Sequence, residues 1–177
     1  WGCRPFEWFK RHRLLGKRFY FAHCIHLNEE EIAQMAETGT GVAHCPISNM
    51  LLSSGACPVP SYLEHGLTRI GLGVDGAASS NSSNMLEEIR CAYLLNRLTW
   101  GDKAATPDDY LYMATAGGAK VLGRDDIGYL APGMAADFAQ MDWNQLTYAG
   151  GCYDPVACIV ESGDPRLVKN VVVNGEL

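Results

Sequence analysis

Two rhythms of apolar and polar positions alternate along the chain. RFYFAH, residues 18–23, is a short block dense in aromatic residues and is predicted to be a buried strand. LNEEEIAQMAETG follows, with Ile32, Met35 and Ala36 at helical spacing, Asn28 where an N-cap belongs, acids in the first turn and Gly39 as the stop. TGVAH (40–44) repeats the strand signal. It repeats again in LTRIGLGVD (67–75), after a Pro-, Ser- and Gly-rich stretch at 45–60 read as a loop and a short helix in PSYLEHG. Ahead of the first strand, residues 5–16 read as a helix with Pro5 suited to its first turn and Gly16 to its end. After the third strand, helices are predicted over 84–98 and 107–121. Strand and helix in alternation predict an α/β fold with a parallel sheet. The texture then changes: IGYLAPGMAADFAQMD and VKNVVVNGEL read as short strands with Pro-Gly and Asn-Gly turns, a small β appendage.

The predicted strands end on His23, His44 and Asp75, 21 and then 31 residues apart. That spacing is close to the roughly 30 residues per unit of an eight-unit barrel, whose active sites gather where the strands end. Period-two geometry puts Phe19, Phe21 and His23 on one side of the first strand, and Gly71, Gly73 and Asp75 on one side of the third. If that side faces the barrel axis, the glycines leave room beneath Asp75. Imidazole and carboxylate converging in a cleft can serve a divalent metal, as ligands or as proton carriers beside it. His23 and Asp75 are therefore the first candidates for catalysis. His44 is either a substrate contact or an organiser of its own loop, His26 reads as structural, and His12 and His65 as surface residues. GLGVDG matches G-x-G-x-x-G, but Asp75 would put a carboxylate in the turn meant for pyrophosphate, and AASSNSS delays the helix whose N-terminus that motif needs.

Composition narrows the partners. A net charge of −6, with 14 Lys and Arg against 20 Asp and Glu, disfavours a nucleic-acid surface. No apolar run reaches the roughly 18–20 residues of a membrane span, so no membrane partner is expected. The seven cysteines contain no C-x-x-C pair and predict neither a disulfide framework nor a zinc ribbon. A cytoplasmic protein follows as the expectation. Trp1 at the start and VVVNGEL at the end predict a chain truncated at both ends.

FAHCIHL, GVAHCPISNMLLSSGACPV, GLGVDGAASSNSSNMLEEIR, ATAGGAKVLGRDDIGYLAPGMAADF and VVVNGEL resemble, in that order, successive blocks of the amidohydrolase superfamily, in its branch of aminohydrolases acting on aromatic heterocycles. The likeness covers nearly the whole chain. WGCRPFEW, HCPISNMLLSSGACPV and VLGRDDIG bring it nearest to the members that deaminate 8-oxoguanine. The resemblance implies a (β/α)8 barrel of the TIM type holding one zinc, or alternatively ferrous iron. Its ligands would be an H-x-H pair on the first strand, a histidine on the fifth and an aspartate on the eighth. FAHCIHL matches the sixth-strand block, so His23 would be the catalytic histidine beside the metal, and Asp75 the eighth-strand aspartate, both metal ligand and proton carrier. The remaining ligands are expected upstream of this chain. Residues 1–125 would then be the C-terminal part of the barrel, about strands six to eight, and residues 126–177 part of a small β-sandwich. The implied activity is metal-dependent hydrolytic deamination of an aminated purine- or pyrimidine-like ring, with the isolated stretch inactive. The substrate is a small heterocycle, and a homo-oligomer is the one macromolecular partner left open. The alternatives are a related triazine-type chlorohydrolase or aminohydrolase, and an inactive half-barrel that serves as an interaction module.

Overall fold

A computed structural model of the chain describes residues 2–177. Three strands, β1 (Tyr20–Ala22), β2 (Gly41–His44) and β3 (Ile70–Leu72), form a parallel sheet in the order β1-β2-β3. Helices α1 (Pro5–Arg11), α2 (Glu29–Thr38), α3 (Pro46–Leu51) and α4 (Val59–Glu64) precede or connect the strands, and α5 (Met85–Trp100) follows β3. A long helical stretch then runs as α6 (Pro107–Tyr112), a π turn (Met113–Gly117) and α7 (Gly118–Leu122). Strands β4 (Phe138–Met141) and β5 (Val168–Val172) pair antiparallel, with α8 (Pro155–Ser162) between them. The fold is mixed α/β, and among the described residues no helix is long and apolar enough to cross a membrane.

Local chemistry sets the element ends. Asn28 caps α2 by accepting the Glu31 N–H at 2.9 Å, and Glu31 Oε2 accepts the Asn28 N–H at 3.0 Å. Arg4 clamps the same Glu31 with two nitrogens at 2.6 and 2.7 Å, fixing the N-terminal segment to α2. The first helix is shorter than its sequence predicts, because Arg13 adopts φ 58° and the chain turns well before Gly16. The stretch 45–60 is not all loop, since Pro46 opens α3. Helix α8 is capped by Asp154 accepting the Ala157 N–H at 2.9 Å.

Val42 of β2 and Ile70 of β3 are neighbours in register and pack with Ile32, Met35, Tyr62, Tyr110 and Met113 into the core. Val160 of α8 joins the same cluster. Phe21 faces helices, its ring stacked on Phe9 of α1 at 4.6 Å. It does not share a face with His23, because His23 turns left-handed at φ 66° and breaks the two-residue period. The room expected at Gly71 is filled by backbone: a Cβ there would lie 2.8 Å from the Gly118 Cα of α7. Gly117 is as close, its added Cβ falling 2.3 Å from the Ile70 carbonyl oxygen. The Gly-Gly pair in ATAGGAKVLG thus lets the helix lie directly against β3.

Candidate active site

β1 and β3 are each followed within three residues by a left-handed, non-glycine residue bearing a polar side chain, His23 at φ 66° and Asp75 at φ 64°. Such a conformation costs about 1–3 kcal/mol and persists only where the surroundings hold it. His23 is held by its N–H, which donates to the Ala43 carbonyl of β2 at 2.9 Å. Asp75 is held through its side chain. Oδ2 accepts the Ser48 hydroxyl at 2.6 Å and the Ser79 hydroxyl at 3.1 Å, and Oδ1 accepts the Gly76 N–H at 2.8 Å.

The two side chains meet. His23 Nε2 lies 3.7 Å from Asp75 Oδ2, with about a third of each side chain open to solvent. On its other edge, His23 Nδ1 is 2.8 Å from the Asn49 Oδ1. With the amide oxygen toward the ring, Nδ1 donates, and Nε2 faces Asp75, which the ring addresses with an N–H there only when both nitrogens are protonated. Ser48 and Asn49 are buried neighbours on α3, so one helical turn holds both members of the pair. The hydrogen bond from Ser48, followed by that from Gly76, holds the Asp75 carboxyl below the ordinary carboxylate range, and it is ionised at neutral pH.

His44 ends the middle strand and is only 2% exposed. Burial, then the neighbouring His23, pushes it down to about 4, so its ring is neutral at physiological pH. Its Nδ1 has no partner among the described residues. Burial pushes Cys45 up to about 11 and Cys24 up to about 12, so neither thiol offers a thiolate. The other histidines have different settings. His12 stacks on Trp8, His65 lies 3.5 Å from Glu29, and the His26 carbonyl receives Arg4 Nη2 at 2.5 Å.

Sequence reasoning passed over Ser48, Asn49, Ser79 and Glu88. Glu88 of α5 is fully buried, and its carboxylate accepts the Ile47 N–H at 3.1 Å and the Ser80 hydroxyl at 3.3 Å. The available signal was Pro46 followed closely by two small polar residues, since proline suits a first helical turn. A divalent metal fits this donor set at one corner only. Asp75 Oδ1 accepts a single N–H and keeps a lone pair for a cation, yet among the described residues no three His, Cys, Asp or Glu side chains group to hold a metal.

The sequence pattern of the amidohydrolase family matches residues 3–177. The chain is 46% identical to an 8-oxoguanine deaminase of Pseudomonas aeruginosa over 174 residues, which are 98% of this chain and 38% of that protein. It is 40% identical to the hydroxydechloroatrazine ethylaminohydrolase of Pseudomonas sp. (strain ADP), covering 99% of this chain and 37% of that protein. Among solved structures it is similar to an adenosine deaminase from Xanthomonas campestris with bound zinc. The TM-score is 0.94 at 32% identity, over 99% of this chain and 40% of that one.

Proposed function

As a chain that belongs to the amidohydrolase family, this one, we propose, supplies the His23–Asp75 half of the active site of a hydrolytic deaminase acting on an aminated purine-like ring, with 8-oxoguanine first among its substrates. The observation that carries the reading is the meeting of His23 Nε2 and an ionised Asp75 at 3.7 Å beyond the ends of parallel strands. The 46% identity to an 8-oxoguanine deaminase supports the substrate. The chain spans 38% of that relative's length, so the site is proposed to be shared with residues outside these 177. On the same reading β1, β2 and β3 are strands six to eight of a (β/α)8 barrel, residues 1–125 are its C-terminal part, and residues 126–177 belong to a composite β-sandwich.

Each residue has a task that its contacts allow. Asp75, ionised and fixed by two hydroxyls and an N–H, takes the proton of the attacking water and returns it to the departing amine. His23, with Nδ1 tied to Asn49, presents Nε2 to the tetrahedral centre and to Asp75, where it holds or relays a proton. His44 remains neutral, and with its Nδ1 buried out of reach of solvent it is proposed as an organiser of its own loop rather than as a substrate contact. Asp75 would be one ligand of a zinc or ferrous ion, which when bound would supply Lewis acidity that lowers the pKa of water toward neutral.

The identity to a hydroxydechloroatrazine ethylaminohydrolase favours one other reading, release of an alkylamine from a triazine. The test is product analysis with the full-length protein carrying this chain, offered 8-oxoguanine, guanine, adenosine and hydroxylated N-ethyl triazines. Ammonia released fastest from 8-oxoguanine is the expected outcome. Ethylamine released fastest from a triazine would replace it with the second reading.

A further inference from the structure

Helix α5 buries a carboxyl that no cation neutralises among the described residues. Glu88 is 0% exposed, and desolvation, the largest influence on it, lifts its carboxyl above the ordinary range. A buried carboxyl is costly unless its hydrogen bonds do something an apolar side chain cannot. Both of its contacts run to the candidate site. Oε2 accepts the N–H of Ile47, in the first turn of α3, at 3.1 Å, and Oε1 accepts the hydroxyl of Ser80, in the loop after β3, at 3.3 Å. The residues next along the chain grip the pair itself. Ser48 and Asn49 follow Ile47 and bond Asp75 and His23, and Ser79 precedes Ser80 and bonds Asp75.

We propose that Glu88 is a positioning residue for the His23–Asp75 pair: its buried carboxyl latches the first turn of α3 to the loop after β3, so that Ser48, Asn49 and Ser79 hold the two groups at working separation. The proposal rests on the reading of that pair as catalytic. Displacing a reacting group by about 1 Å from a distance costs on the order of 100-fold in rate, which sets the scale of the effect.

The test uses the full-length protein. Glu88→Met keeps the side chain's length and removes both acceptors. Glu88→Gln keeps a carbonyl for Ile47 and an amide that can donate to Ser80. Ile89→Val thins the buried face of the same helix and removes no hydrogen bond to either loop. The latch predicts that Glu88→Met lowers kcat about 10- to 100-fold with KM near the wild-type value. It also predicts that Glu88→Gln recovers most of that loss, and that Ile89→Val loses stability but not kcat. Crystal structures supply a readout independent of turnover: the separation of His23 Nε2 and Asp75 Oδ2, 3.7 Å here, should widen in Glu88→Met and not in Ile89→Val. If Glu88→Met does not fold, Ser80→Ala removes one anchor and should shift both readouts the same way by less. A separation unchanged in the Glu88 and Ser80 variants overturns the latch, as does an equal kcat loss in Ile89→Val. A wild-type protein inactive on every substrate would instead remove the catalytic reading, and the separation would still decide whether Glu88 sets the geometry.

Discussion

His44 shows how single residues tie this site to pH. The buried ring protonates at about 4, whereas the same histidine in the unfolded chain does so at its ordinary value of 6.5. On acidification the unfolded chain therefore takes the proton first. The stability associated with a neutral His44 is fully present above pH 6.5 and is lost as pH falls from 6.5 to 4, on the order of 3 kcal/mol in all. In the full-length protein His44→Gln should flatten that acid limb, as read from urea midpoints between pH 7 and pH 4. Parallel limbs in the variant and the wild type would show that the ring takes its proton as readily in the fold as in the unfolded chain. His23, His44 and Asp75 were legible because each closes a strand-like run with a polar residue, a pattern visible without tertiary contacts. Asn49 and Glu88 were not legible, since their roles exist only once α3 and α5 lie over the strand ends.

At the scale of elements, Gly117 and Gly118 are adjacent and should respond oppositely to alanine. An added Cβ at Gly117 lies 2.3 Å from the Ile70 carbonyl oxygen and 3.0 Å from that of Tyr112, backbone atoms that cannot yield as a flexible side chain would. Gly117→Ala should destabilise the protein by about 1–3 kcal/mol, the scale of an overpacked core. At Gly118 the nearest atom is the Met113 carbonyl oxygen at 3.5 Å, an ordinary contact. Gly118→Ala should be neutral, or stabilising by up to about 1 kcal/mol through the better helix propensity of alanine. Thermal unfolding of the two variants checks this, and equal losses would contradict the close packing of this helix on β3. Elements with caps and periodicity were readable, α2 from Asn28 to Gly39 above all. α3 and α8 were missed because each is short and lies in a stretch rich in turn-forming residues, which outweighed the proline at its first turn. The end of α1 was misplaced because Arg13 takes a left-handed turn that no glycine announces.

At the scale of the whole molecule, the three parallel strands leave β1 and β3 each with one edge unpaired among the described residues. Between α5–α7 and the β4–β5 ribbon, an apolar groove of about 710 Å³ is lined by Leu72, Ile89, Leu111, Phe138 and Val168 among others. Open edges and an apolar groove agree with the proposal that these residues complete a larger barrel. The α/β alternation was legible from strand spacing alone, whereas the face each strand presents was not, because the left-handed turn at His23 resets the period. The central claim is that His23 and Asp75 act as a pair in hydrolytic deamination. It is tested most directly by the ammonia-release kcat of Asp75→Asn and His23→Asn in the full-length protein, with zinc per chain measured on the same samples. The account predicts that Asp75→Asn nearly abolishes turnover, and that His23→Asn lowers kcat by about 10²- to 10⁴-fold while its metal content stays near wild type. Wild-type turnover in either variant, or zinc loss in His23→Asn as complete as turnover loss, would contradict it.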